Sequence, residues 1–121
     1  MERRSIWIAW TCVVLAVGAA GCGGEATTAA FDTALWKQPT RYCAQSPRAR
    51  MVDDLIDQHL ETGMSMGAVH ALLGPPDSTD GPTLDYYYVD YEPTPLLGDC
   101  VFLEIDSNNG QLRHAAVVRD G

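Results

Sequence analysis

The stretch GMSMGAVHALLGPPD, from Gly63 to Asp77, decides how the rest of the chain is divided. Ser65 is placed to cap a helix, its oxygen accepting an orphan amide of the first turn. Met64 before the cap and Val69 inside the helix form a hydrophobic staple. Val69, Leu72 and Leu73 supply the buried face. Gly74 is the C-terminal cap, and Pro75 and Pro76 cannot continue a helix, so the chain must turn out toward a strand. Every punctuating residue has a backbone reason.

Upstream, Ser46-Pro47 reads as a capping serine followed by a first-turn proline, so a helix begins there. Met51, Val52, Leu55, Ile56 and Leu60 make one apolar stripe, while Asp53, Asp54, Asp57 and Glu61 face water. Gly63 is expected to end this helix as a left-handed cap.

Downstream the pattern changes to strands. Leu84 to Tyr91 (LDYYYVDY) alternates Tyr86 and Tyr88 against Tyr87 and Val89. Asp99 to Asp106 alternates Val101, Leu103 and Ile105 against Cys100, Phe102 and Glu104. Ser107-Asn108-Asn109-Gly110 is a hairpin turn. Gln111 to Arg119 returns with Leu112, Ala116 and Val118 on one side and Arg113, Val117 and Arg119 on the other. Asp77 and Asp80 flank Ser78, Thr79 and Gly81 in what reads as a loop. The expected fold is a two-layer α+β domain, α-α-β-β-β, with two helices packed on a three-stranded antiparallel sheet.

The amino terminus carries targeting information. Arg3 and Arg4 precede an apolar run from Ile6 to Val17, which is short for a membrane span of about 20 residues. Gly18, Ala19, Ala20 and Gly21 then lead into Cys22, so residues 1–21 read as a lipoprotein signal peptide and Cys22 as the acylated first mature residue. Ordinary cleavage after the same small residues is the alternative. Residues 22–30 are small and polar and read as a flexible tether. Residues 31–45, with Phe31, Leu35, Trp36 and a Pro-rich loop around Cys43, read as a docking segment, and residues 46–121 as the domain.

Removing residues 1–21 leaves 6 basic and 15 acidic residues, a net charge of −9. Such a chain repels phosphate, which argues against nucleic acid and against electrostatic docking on anionic lipid. Membrane attachment must come from acyl chains on Cys22. Cys43 and Cys100 are then the two remaining thiols. In an oxidising compartment their pairing closes a loop of roughly 57 residues, worth about 4 kcal/mol in the chain-entropy model; two unpaired cysteines are the alternative.

Gly63, Met64, Ser65, Val69, Leu73, Gly74 and Pro76 together resemble the signature of the BamE (SmpA/OmlA) family of small outer-membrane lipoproteins. The likeness runs from about Arg48 to Val118 and includes the aromatic strand and the hairpin VFLEIDSNNGQL. The resemblance implies two helices on a three-stranded antiparallel sheet, a fold also found in β-lactamase-inhibitor-like modules, and a periplasm-facing lipoprotein. The best-known member of that family is an accessory subunit of the machine that inserts β-barrel proteins into the outer membrane. The barrel-assembly machine is therefore one envelope partner that the resemblance implies.

Chemistry is sparse. His59, His70 and His114 show no HxxxH or HxH spacing and read as surface residues, so no metal is expected. Asp53, Asp54 and Asp57 point in different directions on a helix and form no calcium loop. No catalytic residue, cofactor or acid/base pair is expected. Tyr86, Tyr87, Tyr88 and Tyr91 are the candidate partner-binding residues, because alternation forces part of this set onto the sheet face away from the helices. Burial of these tyrosines under Trp36, Phe31 or the loop from Glu92 to Gly98 is the competing placement. The expected function is that of a non-enzymatic, lipid-anchored envelope protein with a small protein-interaction domain, an accessory of outer-membrane protein assembly on the family resemblance. The alternative is a secreted, inhibitor-like or ligand-binding module that needs no anchor.

Overall fold

The computed structural model describes residues 28–120. The expected signal peptide, the expected lipidation site Cys22 and most of the expected tether lie outside the described residues. The order is α1 (Thr33–Trp36), α2 (Arg48–Asp54, continuing as a π-helical turn over Leu55–His59), α3 (Met66–Leu73), β1 (Ser78–Asp80), β2 (Leu84–Pro93), β3 (Gly98–Asn108) and β4 (Gln111–Asp120). The four strands form one antiparallel sheet in the order β1-β2-β3-β4. Among the described residues no helix is long and apolar enough to cross a membrane.

The α+β class stands, with one strand and one short helix more than expected. Ser78–Asp80 is not a loop but an edge strand on β2, with Ser78 opposite Tyr86 and Asp80 opposite Leu84. Its three residues are polar and exposed, so nothing in their burial pattern marks a strand. Gly81, at φ 71°, makes the tight return. The extra helix, α1, is capped by Asp32, whose carboxylate accepts the Leu35 amide at 3.1 Å.

The core lies between the helices and one face of the sheet. Tyr87, Val89, Val101, Leu103, Ile105 and Leu112 enter it from the strands; Trp36, Met51, Val52, Leu55, Leu60, Val69 and Leu73 enter from the helical side. Trp36 is fully buried, so residues 31–45 share this core. The expected tether is also shorter than its bounds, since the Ala29 amide donates to the Arg50 carbonyl at 2.6 Å.

Gly63 does not end α2. That helix stops at His59 after a wide turn closed by the Leu60 amide on the Leu55 carbonyl, an i to i+5 bond. The wider turn brings Leu60, five residues after Leu55, back toward the core, which an α-helical repeat would not do. Gly63 instead takes φ 95° in a turn that docks on β4. Its amide donates to Leu112, the Leu112 amide returns a bond to Met64, and the Met66 amide reaches Gly110. The Gly-Met-Ser segment is thus stitched to the β3–β4 hairpin before α3 begins. Ser65 caps α3 as expected, accepting the Ala68 amide at 3.1 Å, and Gly74 closes it at φ 77°.

Two bulges break strict alternation. The first, between Tyr88 and Asp90, leaves Tyr91 opposite Cys100. The second leaves Ser107 opposite Leu112 but Asp106 opposite His114, with Arg113 as the extra residue. Beyond it Ala115 and Val117 pack on the core with Leu112, while Val118 lies opposite Phe102 on the other face. The expected grouping of Leu112 with Ala116 and Val118 is therefore corrected: a bulge shifts the side-chain phase by one residue.

Candidate functional site

The sheet face turned away from the helices is lined with aromatic rings, and strand pairing explains which ones. Tyr88 sits opposite Phe102 and Tyr86 opposite Glu104, so β2 and β3 contribute adjacent rings to one surface. The Tyr86 hydroxyl donates to Glu104 at 2.8 Å, which with burial holds its proton above the usual tyrosine range. Tyr42, in the loop before α2 and 62% exposed, leans over the same surface. Its ring stands edge-on to Tyr88 at 5.4 Å between centroids and at 77°, and 6.1 Å from Phe102. Tyr86 and Tyr88 flank Phe102 at 6.3 and 6.2 Å. With Ser78, Glu104, Val118 and Asp120 these rings line an open groove of about 340 Å³.

Tyr42 is held there covalently. Cys43 and Cys100 form a disulfide with a Cα–Cα distance of 4.7 Å, tying the loop to the beginning of β3. Cys43 takes a left-handed φ of 53°, the conformation that turns the loop back over the sheet.

Tyr91 reaches the outer face through the first bulge. A Cβ at Gly98 would collide with the Tyr91 ring, so glycine is the residue that lets this ring lie across the β2–β3 ribbon. The turn beyond exposes Leu96, at 93%, and Leu97.

Of the four tyrosines picked out in the sequence, three share the outer face and one does not. Tyr87 is fully buried and its hydroxyl donates to the Gly74 carbonyl at 2.7 Å. Burial drives its proton affinity far above the ordinary tyrosine value. It packs 6.2 Å from Trp36, so for this residue the competing placement holds. Tyr42 and Phe102 belong to the site and were not singled out: Tyr42 lies in a Pro-rich loop without periodicity, and only its neighbour Cys43 signals that the loop returns to the sheet.

A second polar node finishes the sheet edge where β1 stops. Arg48 is only 4% exposed and donates to the Trp36 carbonyl, to Asp77 and to the Tyr88 carbonyl, each at 2.8 Å. Asp77 also accepts the Tyr88 amide at 2.9 Å. Both backbone groups of Tyr88 face an edge that three-residue β1 does not reach, and these side chains take the place of a strand. The Arg48 guanidinium lies 4.8 Å from the Trp36 ring, whose buried Nε1 has no partner among the described residues. This node organises the fold, joining α1, α2 and β2 through one guanidinium.

The histidines are dispersed. His70 pairs with Asp85 at 2.8 Å, and His59 with Asp54 at 3.4 Å, its ring tilted against Phe31. Among the described residues no three His, Cys, Asp or Glu side chains converge as metal ligands would. Comparison of the chain with family models, with curated proteins and with solved structures gives no significant match.

Proposed function

We propose that this chain is a non-enzymatic, lipid-anchored protein of the cell envelope that presents the outer face of its sheet to a protein partner. The observation that carries this reading is the row of Tyr42, Tyr86, Tyr88 and Phe102, held beside one another on a face that no helix of the described residues covers. Tyrosine rings give large contact area at low conformational cost, which is why they are favoured in recognition surfaces. The four-strand sheet gives those rings a rigid base, and the disulfide restrains the one ring contributed by a loop.

The anchor is Cys22, and the membrane is the outer one, with the domain facing the periplasm. The Gly63 to Pro76 pattern, the helices packed on the sheet and the Asn109-Gly110 hairpin support a BamE-like architecture, and with it an accessory role beside the barrel-assembly machine. The test has two parts. Replacing Cys22 with Ser and following membrane fractionation separates an anchored protein from a secreted module: release into the soluble fraction is expected, and an unanchored wild type would remove the anchor. Capture of partners from solubilised envelopes by the wild type and by Tyr42→Ala/Tyr88→Ala tests the face. Loss of a stable partner with the double variant is expected, and unaltered capture would remove this surface.

A further inference from the structure

The lining of the outer groove restricts what can enter it. Four aromatic rings meet two carboxylates, Glu104 and Asp120, and none of the lining residues is basic. The rings are tilted at 61° to 77° where Tyr42 meets Tyr88, Tyr88 meets Phe102 and Tyr86 meets Phe102, so their electron-rich faces point in different directions around one space. A purely apolar guest would leave the Glu104 and Asp120 carboxylates to be covered without compensation, which is costly. An anion would meet like charge. A cation on an alkyl stem satisfies both parts of the lining: its stem lies on the rings, its charge is attracted by ring faces, and carboxylates stand at the rim.

The Tyr86–Glu104 bond adds to this. It fixes the Glu104 carboxylate beside the Phe102 ring and turns the Tyr86 hydroxyl away from competing for a guest as a donor. The net charge of −9 on the mature chain acts in the same direction at longer range, steering basic segments toward the domain.

We infer that the outer aromatic groove is a binding site for the cationic side chain of an extended Arg- or Lys-bearing segment of the partner protein, seated between Tyr42, Tyr88 and Phe102 with Glu104 and Asp120 as counter-charges. This inference rests on the protein-partner reading above and gives it a chemistry. A guanidinium fits best, because its planar, weakly hydrated cation stacks on aromatic faces while donating to carboxylates.

The experiment titrates the full mature protein, in neutral detergent, with capped Gly-Arg-Gly, Gly-Lys-Gly and Gly-citrulline-Gly peptides while tyrosine ring resonances are followed. Citrulline keeps the shape of arginine without its charge. The arginine peptide is expected to bind about tenfold more tightly than the citrulline peptide, to weaken with salt, and to lose about tenfold in affinity with Tyr88→Leu or Glu104→Gln. Far-UV dichroism checks that both variants fold, and Glu104→Gln retains the volume of the side chain it replaces. Equal binding of the arginine and citrulline peptides would overturn the cation site and leave the partner face standing. Binding of neither peptide, with partner capture still dependent on Tyr42 and Tyr88, would do the same. Self-association abolished by Tyr88→Leu would assign the groove to a second copy of the chain and also overturn it. Partner capture indifferent to Tyr42 and Tyr88 marks the distinct failure of the underlying reading.

Discussion

Tyr87 and Tyr88 are neighbours of identical chemistry on the two faces of β2, and the structure gives them opposite tasks. Tyr87 points into the layer between helices and sheet, touches Trp36 and spends its hydroxyl on the Gly74 carbonyl. Tyr88 points outward beside Phe102 and Tyr42. The inner ring is closed in by neighbours from α1, α3 and the sheet; the outer one is supported by a loop that a disulfide holds down. One residue type thus serves cohesion on one side and display on the other, and the strand's two-residue period assigns the roles.

The sharpest way to break this comparison is to truncate both rings. Tyr87→Ala is expected to destabilise the protein by about 4 kcal/mol, since it opens a cavity and strands a buried carbonyl. Tyr88→Ala is expected to cost less than about 1 kcal/mol, because its ring is half-exposed. Urea unfolding of the two variants measures both, and equal losses would dissolve the distinction between the faces. Replacing Cys43 and Cys100 together with Ser tests whether the outer face depends on its covalent tie. A loss of about 3 kcal/mol is expected, with Tyr42 released from its contact with Tyr88, seen as lost cross-peaks between their ring protons.

Smaller effects sharpen the same contrast. Gly98→Ala is expected to push the Tyr91 ring off the β2–β3 ribbon at a cost of about 1 kcal/mol while leaving the core untouched, so Tyr91 proton shifts should move and those of Tyr87 should not. Tyr87→Phe removes one hydrogen bond, worth about 1 kcal/mol, and alters the alkaline limb of stability. Because burial raises the Tyr87 proton affinity, the stabilisation is fully present below the unfolded tyrosine value near pH 10 and falls as pH rises above it. The wild type should therefore lose stability above about pH 10 more steeply than Tyr87→Phe, as denaturant midpoints measured across that range would show.

How far these features were legible in the sequence depended on whether they were local. The caps of α3 could be read from Ser65 and Gly74 because each acts on amides and carbonyls of its own helix. The Asn109-Gly110 turn could be read for the same reason, both residues taking the positive φ that a two-residue hairpin demands. Val101, Leu103 and Ile105 followed from alternation alone. Long-range features were hidden. Nothing near Arg48 in the chain foretells that it will complete a sheet edge at Tyr88, 40 residues away, or that Asp77 will join it. The chain between Leu60 and Ser65 looked like a helix cap and proved to be a pairing segment, because its partner, Leu112, lies on the last strand. The outer site was half legible: alternation separated Tyr86 and Tyr88 from Tyr87, but the bulge that brings out Tyr91 and the loop that adds Tyr42 depend on contacts no window of sequence contains.

The two bulges have a consequence for how this chain tolerates change in length. Deleting Arg113 would restore an unbroken period through the last strand and leave Ala115 and Val117 facing inward with Leu112, because it removes the one residue without a partner and keeps every other pair. Deleting Val89 would likewise keep Tyr91 opposite Cys100 on the outer face, at the loss of one buried side chain. A deletion in an unbroken part of the same strand, at Ala116 for example, would instead exchange the inside and outside of the strand end beyond it. The register, more than any individual side chain, is what a lineage of such domains has to preserve.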